Sequence, residues 1–324
     1  MTSSPIADLS YRNYDGPLMA AKMRWWVIAR QGIRTALKKK SIWVFTAISG
    51  WYYLGMMFTL YVLEQMSQRA ASMGQPSPLA NFISRIVWKD QFLHGLSFGQ
   101  IMYVIVALII GAGAIANDNR ANALLVYLSK PCTKLDYLIG KWVGIFIPLL
   151  MVMSIPSIMF FAYGALTYRQ DGFFYQDYWL FPKLIAVLIL GAAVHTSLIV
   201  GFSSLFNQGR LAGATYAGLY FLTNFFTQLM VFSWRMVTDA GAGQGTDLGK
   251  AAVAKLFYGS IDGLNIGMAK AVLRTDGSPY FGAPSEMPMV PAPGFLPMIV
   301  IVVLVCAASM FIAWTRIRAV EVVG

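Results

Sequence analysis

Residues 137–164 read YLIGKWVGIFIPLLMVMSIPSIMFFAYG, a run of twenty-eight residues with a single charge, Lys141. A helix needs roughly 20 mostly apolar residues to cross the hydrocarbon core of a bilayer. A soluble core helix of this length would need a polar face, and this run has none. Pro148 and Pro156 are expected to kink the helix without ending it, since neighbouring spans can satisfy the freed backbone groups.

Five further stretches are of the same kind: about Ile42–Leu63, Leu96–Ala116, Leu184–Phe206, Leu211–Phe232 and Phe295–Trp314. The whole chain agrees with them. Of its 324 residues 57% are apolar and only 12% charged, where soluble domains carry about a quarter charged residues. That argues against a soluble enzyme and against a disordered chain. The fold class expected is an all-α integral membrane protein with six transmembrane helices. Residues 1–41 form a cytoplasmic N-terminus, 42–232 hold the first five spans, 233–294 form an external loop with a helical segment, and 295–324 hold the sixth span and a short tail.

Orientation follows from the basic residues. Fifteen Lys and Arg fall on the side of the termini, eight of them before the first span (Arg12, Lys22, Arg24, Arg30, Arg34, Lys38, Lys39, Lys40), against ten spread over the longer loops opposite. Both termini are therefore expected in the cytoplasm, and the net charge of +11 reads as contact with lipid headgroups rather than nucleic acid. The polar N-terminus has no apolar core of a signal peptide, so a cleavable leader is not expected. Cys132 and Cys306 fall in a polar loop and an apolar run, an improbable disulfide pair. No metal-ligand spacing occurs.

Two strings imitate nucleotide motifs. The run YVIVALIIGAGAIA (103–116) resembles a strand followed by G-x-G-x-x-A, but it is too long for a strand and lacks a βαβ setting. Gly111 and Gly113 read better as close helix packing. GQGTDLGKA (243–251) has Gln244 where a phosphate-binding loop needs Gly, and Ala251 where it needs Ser or Thr. No cofactor is expected in this chain.

Outside the spans, Pro17–Lys40 reads as an amphipathic helix lying in the membrane interface. Arg30, Arg34 and Lys38 form one row, with Trp25, Ile28, Gly32 and Ala36 opposite. It is either a plain anchor or a partner-docking helix. Asn117–Lys134 reads as a cytoplasmic loop holding a short helix, Asn119–Leu128, ended by Ser129-Lys130-Pro131. In the last external segment a Gly-rich stretch precedes a helical run from about Asp247 to Leu273, and a Pro-rich return follows.

Within the spans, His195 is either a functional group or a neutral imidazole hydrogen-bonded across helices, and the lack of an acidic partner in any span favours the second. Tyr216, Tyr220, Thr223, Asn224, Thr227 and Gln228 share one broad face of the fifth span. That face should look at protein or water, as helix packing, a dimer interface or a substrate path. Gln100, Ser154 and Ser157 are lesser candidates.

The stretch IANDNRANALLVYLSKPCTKLDYLIGK (115–141) resembles the segment joining the second and third spans of bacterial type-2 ABC transporter permeases. An acidic residue, a short helix with a Leu-Leu pair, Ser-x-Pro, a basic residue and Gly-Lys follow one another there. Here these are Asp118, Leu124-Leu125, Ser129-Lys130-Pro131, Lys134 and Gly140-Lys141. Asn122-Ala123 departs from the small residues usual before the leucines. DLSYRNYDGP (8–17) followed by RWWVIARQGIR (24–34) is also similar to the opening of such chains.

The resemblance implies half of a transmembrane exporter in the bacterial inner membrane, paired with a second copy or a paralogue and driven by two cytoplasmic ABC ATPase subunits. ATP and magnesium would belong to those partners, so the chain would be no enzyme by itself. Residues 117–134 would hold the coupling helix, with Asp118, Arg120, Leu124, Leu125, Leu128, Ser129 and Pro131 meeting the ATPase. Trp25, Trp26, Arg30 and Arg34 would mark an elbow helix. Two alternatives differ in what they need: an intramembrane lipid-modifying enzyme needs an acid–base or nucleophile pair that the spans do not supply, and a non-catalytic assembly or immunity protein would not need the cytoplasmic Leu-Leu/Ser-x-Pro segment.

Overall fold

The structure is a computed structural model that describes residues 23–121, 123, 132–170, 172–239, 247–278 and 289–317. Among them it contains helices and no strand. In chain order these are α1 (Arg24–Leu37), α2 (Lys40–Ser49), α3 (Trp51–Ser72), α4 (Pro78–Ile83), α5 (Trp88–Gly111), α6 (Ala116–Arg120), α7 (Lys134–Thr167), α8 (Leu180–Leu205), α9 (Gly209–Asp239), α10 (Asp247–Ala254), a 3₁₀ turn (Lys255–Gly259), α11 (Ile261–Leu273) and α12 (Phe295–Arg316).

Four of the expected spans are helices long and apolar enough to cross a membrane: Trp88–Arg120, which runs from α5 through a turn into α6, then α7, α8 and α12. The other two take a different form. The first expected span is broken at Gly50 into α2 and α3, and α3 continues well past the expected end at Leu63, to Ser72. The break has a partner. A Cβ on Gly50 would sit 2.8 Å from Cβ of Pro156, so the α2–α3 junction presses on α7 at one of its two internal prolines. The fifth expected span is α9, thirty-one residues whose apolar character is diluted by the hydroxyl and amide side chains on one face.

The helices gather at two ends. At one lie α1, the end of α5, α6, the start of α7, the end of α8, the start of α9 and the end of α12. Close approaches there depend on glycine. A Cβ on Gly140 would stand 2.7 Å from the Trp25 carbonyl oxygen and from Ile28 Cβ, and one on Gly32 3.1 Å from Gly144 Cα, so α1 lies directly on α7. The face it turns to α7 includes Ile28, Gly32 and Ala36, while Arg30 and Arg34 are exposed. Gly111 and Gly113 pack as the sequence suggests: a Cβ on the first would strike Ile199, and Gly113 sits under Gly209 at the start of α9. Thr133 and Asp136 close a reciprocal capping box on α7.

The opposite end is aromatic. Trp88, Phe92, Phe160, Tyr168 and Phe173 are fully buried against one another. Gln176 fastens the start of α5: its Oε1 accepts from Trp88 N at 3.0 Å, and its Nε2 donates to the Ile86 carbonyl at 2.9 Å.

The helical run expected over Asp247–Leu273 is present as α10, the 3₁₀ turn and α11. The sequence did not foretell that α11 is buried, packed against α5, α8, α9 and α12. Its thirteen residues span about 20 Å, too short to cross a bilayer.

Candidate functional site

A cavity of about 480 Å³ lies between α5, α9 and α11. From α9 it is lined by Asn224, Thr227 and Gln228, three of the six residues on the polar face expected from sequence, with Val231 and Arg235 beyond them. From α5 come Leu93, His94 and Ser97, and from α11 and the residues flanking it Phe257, Ser260, Asp262, Ile266, Lys270, Asp276 and Ser278. The polar face of α9 thus borders the cavity, with Asn224 and Thr227 half-buried and Gln228 exposed, while Phe221, Leu222, Phe225, Phe226 and Leu229 are exposed on its other side.

The remaining members of that face are packed or locally bonded. Tyr216 and Tyr220 are buried, and the Thr223 hydroxyl donates to the Leu219 carbonyl of its own helix at 2.7 Å. Tyr216 belongs to a buried network with His195 at its centre. His195 Nδ1 lies 2.7 Å from the Tyr216 hydroxyl, and Nε2 lies 3.1 Å from Gln100 Oε1 and 2.9 Å from Asn265 Nδ2. One nitrogen with two partners can donate to Gln100 or accept from Asn265, so the network has two tautomeric settings. Among the described residues no carboxylate joins it. His195 is hydrogen-bonded across helices and ties α5, α8, α9 and α11 at one point.

Two ionisable groups of α11 face the cavity from a helix that does not itself span. Burial raises the Asp262 carboxyl from its usual range to about 7. Its Oδ1 is buried and has no hydrogen-bond donor among the described residues, and the same holds for Asn224 Oδ1 as a buried acceptor. Lys270 is differently placed. Its ammonium donates to the carbonyls of Val290 (2.7 Å) and Asp276 (3.0 Å) and lies 5.1 Å from the centre of the Phe257 ring. Burial lowers its pKa to about 8.

At the basic end, a second constellation surrounds the approach to the expected coupling segment. α5 stops at Gly111 and the chain turns through 112–115 into α6. Ser203 of α8 holds this turn. Its hydroxyl oxygen accepts from Ile115 N (3.0 Å) and Ala116 N (3.1 Å), and its proton goes to the Ala112 carbonyl (2.9 Å). Asp118 follows, with Oδ2 accepting from the Tyr137 hydroxyl and from Lys141 Nζ, each at 2.7 Å, which ties α6 to the first two turns of α7. Lys39, between α1 and α2, reaches the Ile109 carbonyl at 3.0 Å. Arg120 ends α6.

Of the other expected site residues, Leu124, Leu125, Leu128, Ser129 and Pro131 lie outside the described residues, as does all but the first part of the short helix expected over Asn119–Leu128. Trp25, Trp26, Arg30 and Arg34 all lie on α1; the two indoles meet edge to face at 5.8 Å. Sequence reasoning missed Asp262, Asn265, Lys270 and Ser203. For the first three a signal existed: Asp262, Asn265 and Lys270 recur among Ile, Leu, Met and Gly in a run apolar enough to be buried. Ser203 in Ser203-Ser204 carried none.

Compared with known proteins, the chain matches the family described as ABC-2 family transporter protein over residues 26–265. No curated protein matches it.

Proposed function

Because the chain belongs to the ABC-2 family of transporter proteins, we propose that it is the membrane-spanning subunit of an exporter, paired with a second copy or a paralogue and driven by two separate cytoplasmic ATPase subunits. Membership makes it a multi-pass membrane permease, a transport component of the kind that works with an ABC ATPase subunit and is generally not itself catalytic. The rest is our reading. The end rich in Arg and Lys faces the cytoplasm, α2–α3 and α9 complete six spans, and α1 is the elbow. Cargo passes along the polar face of α9. The setting is the bacterial inner membrane.

The observation that carries the coupling role is the fastening of the approach to residues 119–128. A coupling element transmits motion only if its tether is stiff and joined to the helices that must move. Ser203 joins the turn before α6 to α8, Asp118 joins α6 to α7, and Gly113 touches Gly209 at the start of α9. A push on this loop is delivered to three long helices together. Leu124 and Leu125 would be the apolar contacts in the ATPase groove. The test is affinity capture of the chain from its host membrane in mild detergent, with mass spectrometry and an ATP-hydrolysis assay. A stoichiometric ATPase is expected with the natural chain and none with Leu124→Glu/Leu125→Glu, although the variant still inserts. Undiminished ATPase capture by the variant would refute the coupling assignment.

A further inference from the structure

The cavity between α5, α9 and α11 contains an imbalance that the transport reading does not use. Two acceptors on its wall, Asp262 Oδ1 and Asn224 Oδ1, are buried without a donor among the described residues, against one hydroxyl, Ser278 Oγ, that is buried there without a partner. Asp262 is only 7% exposed. A buried carboxyl oxygen and a buried amide oxygen left bare are each costly. Both belong to residues that line a cavity large enough for a small ligand or a headgroup.

The chemistry of the wall narrows what could supply the missing donors. A divalent cation would need about six oxygen ligands, and the described residues contain no group of three or more candidate metal ligands. An anion would meet two bare acceptors. It would also find Lys270 already committed to two carbonyls and the Phe257 ring. A quaternary ammonium has no N–H to give and is held by a cage of aromatic rings, whereas among the described residues lining this cavity Phe257 is the one Phe, Tyr or Trp. The opposing cations are remote along the helices. Lys270 is eight residues from Asp262 and Arg235 eleven from Asn224, or about 12 and 16 Å of helix axis.

We propose that this cavity binds a primary amine, its protonated nitrogen held by Asp262 and by the amide oxygen of Asn224. An alkyl ammonium carries three donors and a full positive charge, which satisfies both bare acceptors and pairs the carboxylate. Ile266 and Val231, which also line the cavity, offer apolar surface to the rest of the molecule. The amine belongs either to a lipid headgroup or to a soluble amphiphile, and the two share this chemistry. The proposal depends on the transporter reading for its purpose, as the recognition of cargo, and not for its chemistry. ATPase capture and amine retention are separate readouts, so either can fail alone.

The test uses the full chain in detergent. Native mass spectrometry compares retention of phosphatidylethanolamine with that of phosphatidylcholine, and thermal shift compares octylamine with octyltrimethylammonium. The natural chain needs no substitution for this contrast, because each pair differs at the nitrogen. We expect retention of at least one primary amine about tenfold above its quaternary partner, the scale of a charge-assisted hydrogen bond. A lipid-only preference assigns the headgroup, and an octylamine-only preference assigns a soluble amine. Asp262→Asn and, separately, Asn224→Leu should each remove most of the preference while the protein stays monodisperse. Equal retention within both pairs by folded natural chain overturns the proposal, as does a preference that survives both variants.

Discussion

Replacing Ser203 with alanine removes one hydroxyl and three hydrogen bonds. Two of these are to Ile115 N and Ala116 N, on residues fully buried in the turn between α5 and α6. An unsatisfied buried N–H costs about 1–3 kcal/mol, and the smaller hydrogen-bond energies measured between membrane helices favour the lower part of that range. Two such groups and the Ala112 carbonyl give about 3 kcal/mol for the turn. The better helix propensity of alanine returns only about 0.5 kcal/mol. Since about 1.4 kcal/mol is a factor of ten, opening of the turn should become roughly a hundredfold more frequent. Hydrogen–deuterium exchange of the peptide covering 112–121 reads this directly: the 115 and 116 amides should lose about two decades of protection, while the core of α8 stays protected. Ser203→Cys, a poor acceptor, should fall between. Exchange at 115 and 116 within twofold of the natural chain would refute the idea that this serine holds the turn. On the proposed coupling role, ATPase stimulation should also drop in Ser203→Ala without loss of the ATPase from the proposed complex.

Three other outcomes follow from the same geometry. Gly140→Val should lever α1 off α7, since even a Cβ there would meet the Trp25 carbonyl at 2.7 Å; overpacking of about 1–3 kcal/mol should speed tryptic cleavage at Arg30 and Arg34 roughly tenfold. His195→Leu strands partners on α5, α9 and α11 and should lower thermal stability in detergent more than the double variant His195→Leu/Asn265→Leu does, because removing both partners costs less than orphaning one; simple additivity would refute the network. Burial that lifts Asp262 from 3.8 to about 7 penalises its charged form. In amine-free detergent its contribution to stability should therefore fall as pH rises through that window, by about 1.4 kcal/mol per unit at most, and Asp262→Asn should flatten the slope of the melting temperature between pH 5 and 7.

The spans were legible because their signal is compositional: α7, α8 and α12 need nothing but a long apolar run. The polar face of α9 was legible as a periodicity, and Asn224, Thr227 and Gln228 of that face line the cavity. What escaped were features made by two distant segments at once. Gly50 looks like any glycine in a span until Pro156 arrives beside it. Asp262 and Lys270 cancel in the charge count of their segment, so the count made that stretch look featureless just where it supplies the cavity. Asn265 gave no sign that it meets His195, seventy residues earlier.

The contact of Gly50 with Pro156 makes one waist out of two weak points. Proline removes a backbone donor from α7, and the α2–α3 junction lacks continuous helix at the same height. Above the waist, Tyr53 of α3 stacks on Phe160 of α7 at 5.2 Å and accepts a hydrogen bond from Ser157 at 3.2 Å. Below it, α2 packs on the same α7. A tilt of α3 would therefore press on α7 at Pro156, where α7 lacks one backbone donor. Two segments about a hundred residues apart in the chain thus place their least helix-like positions against each other.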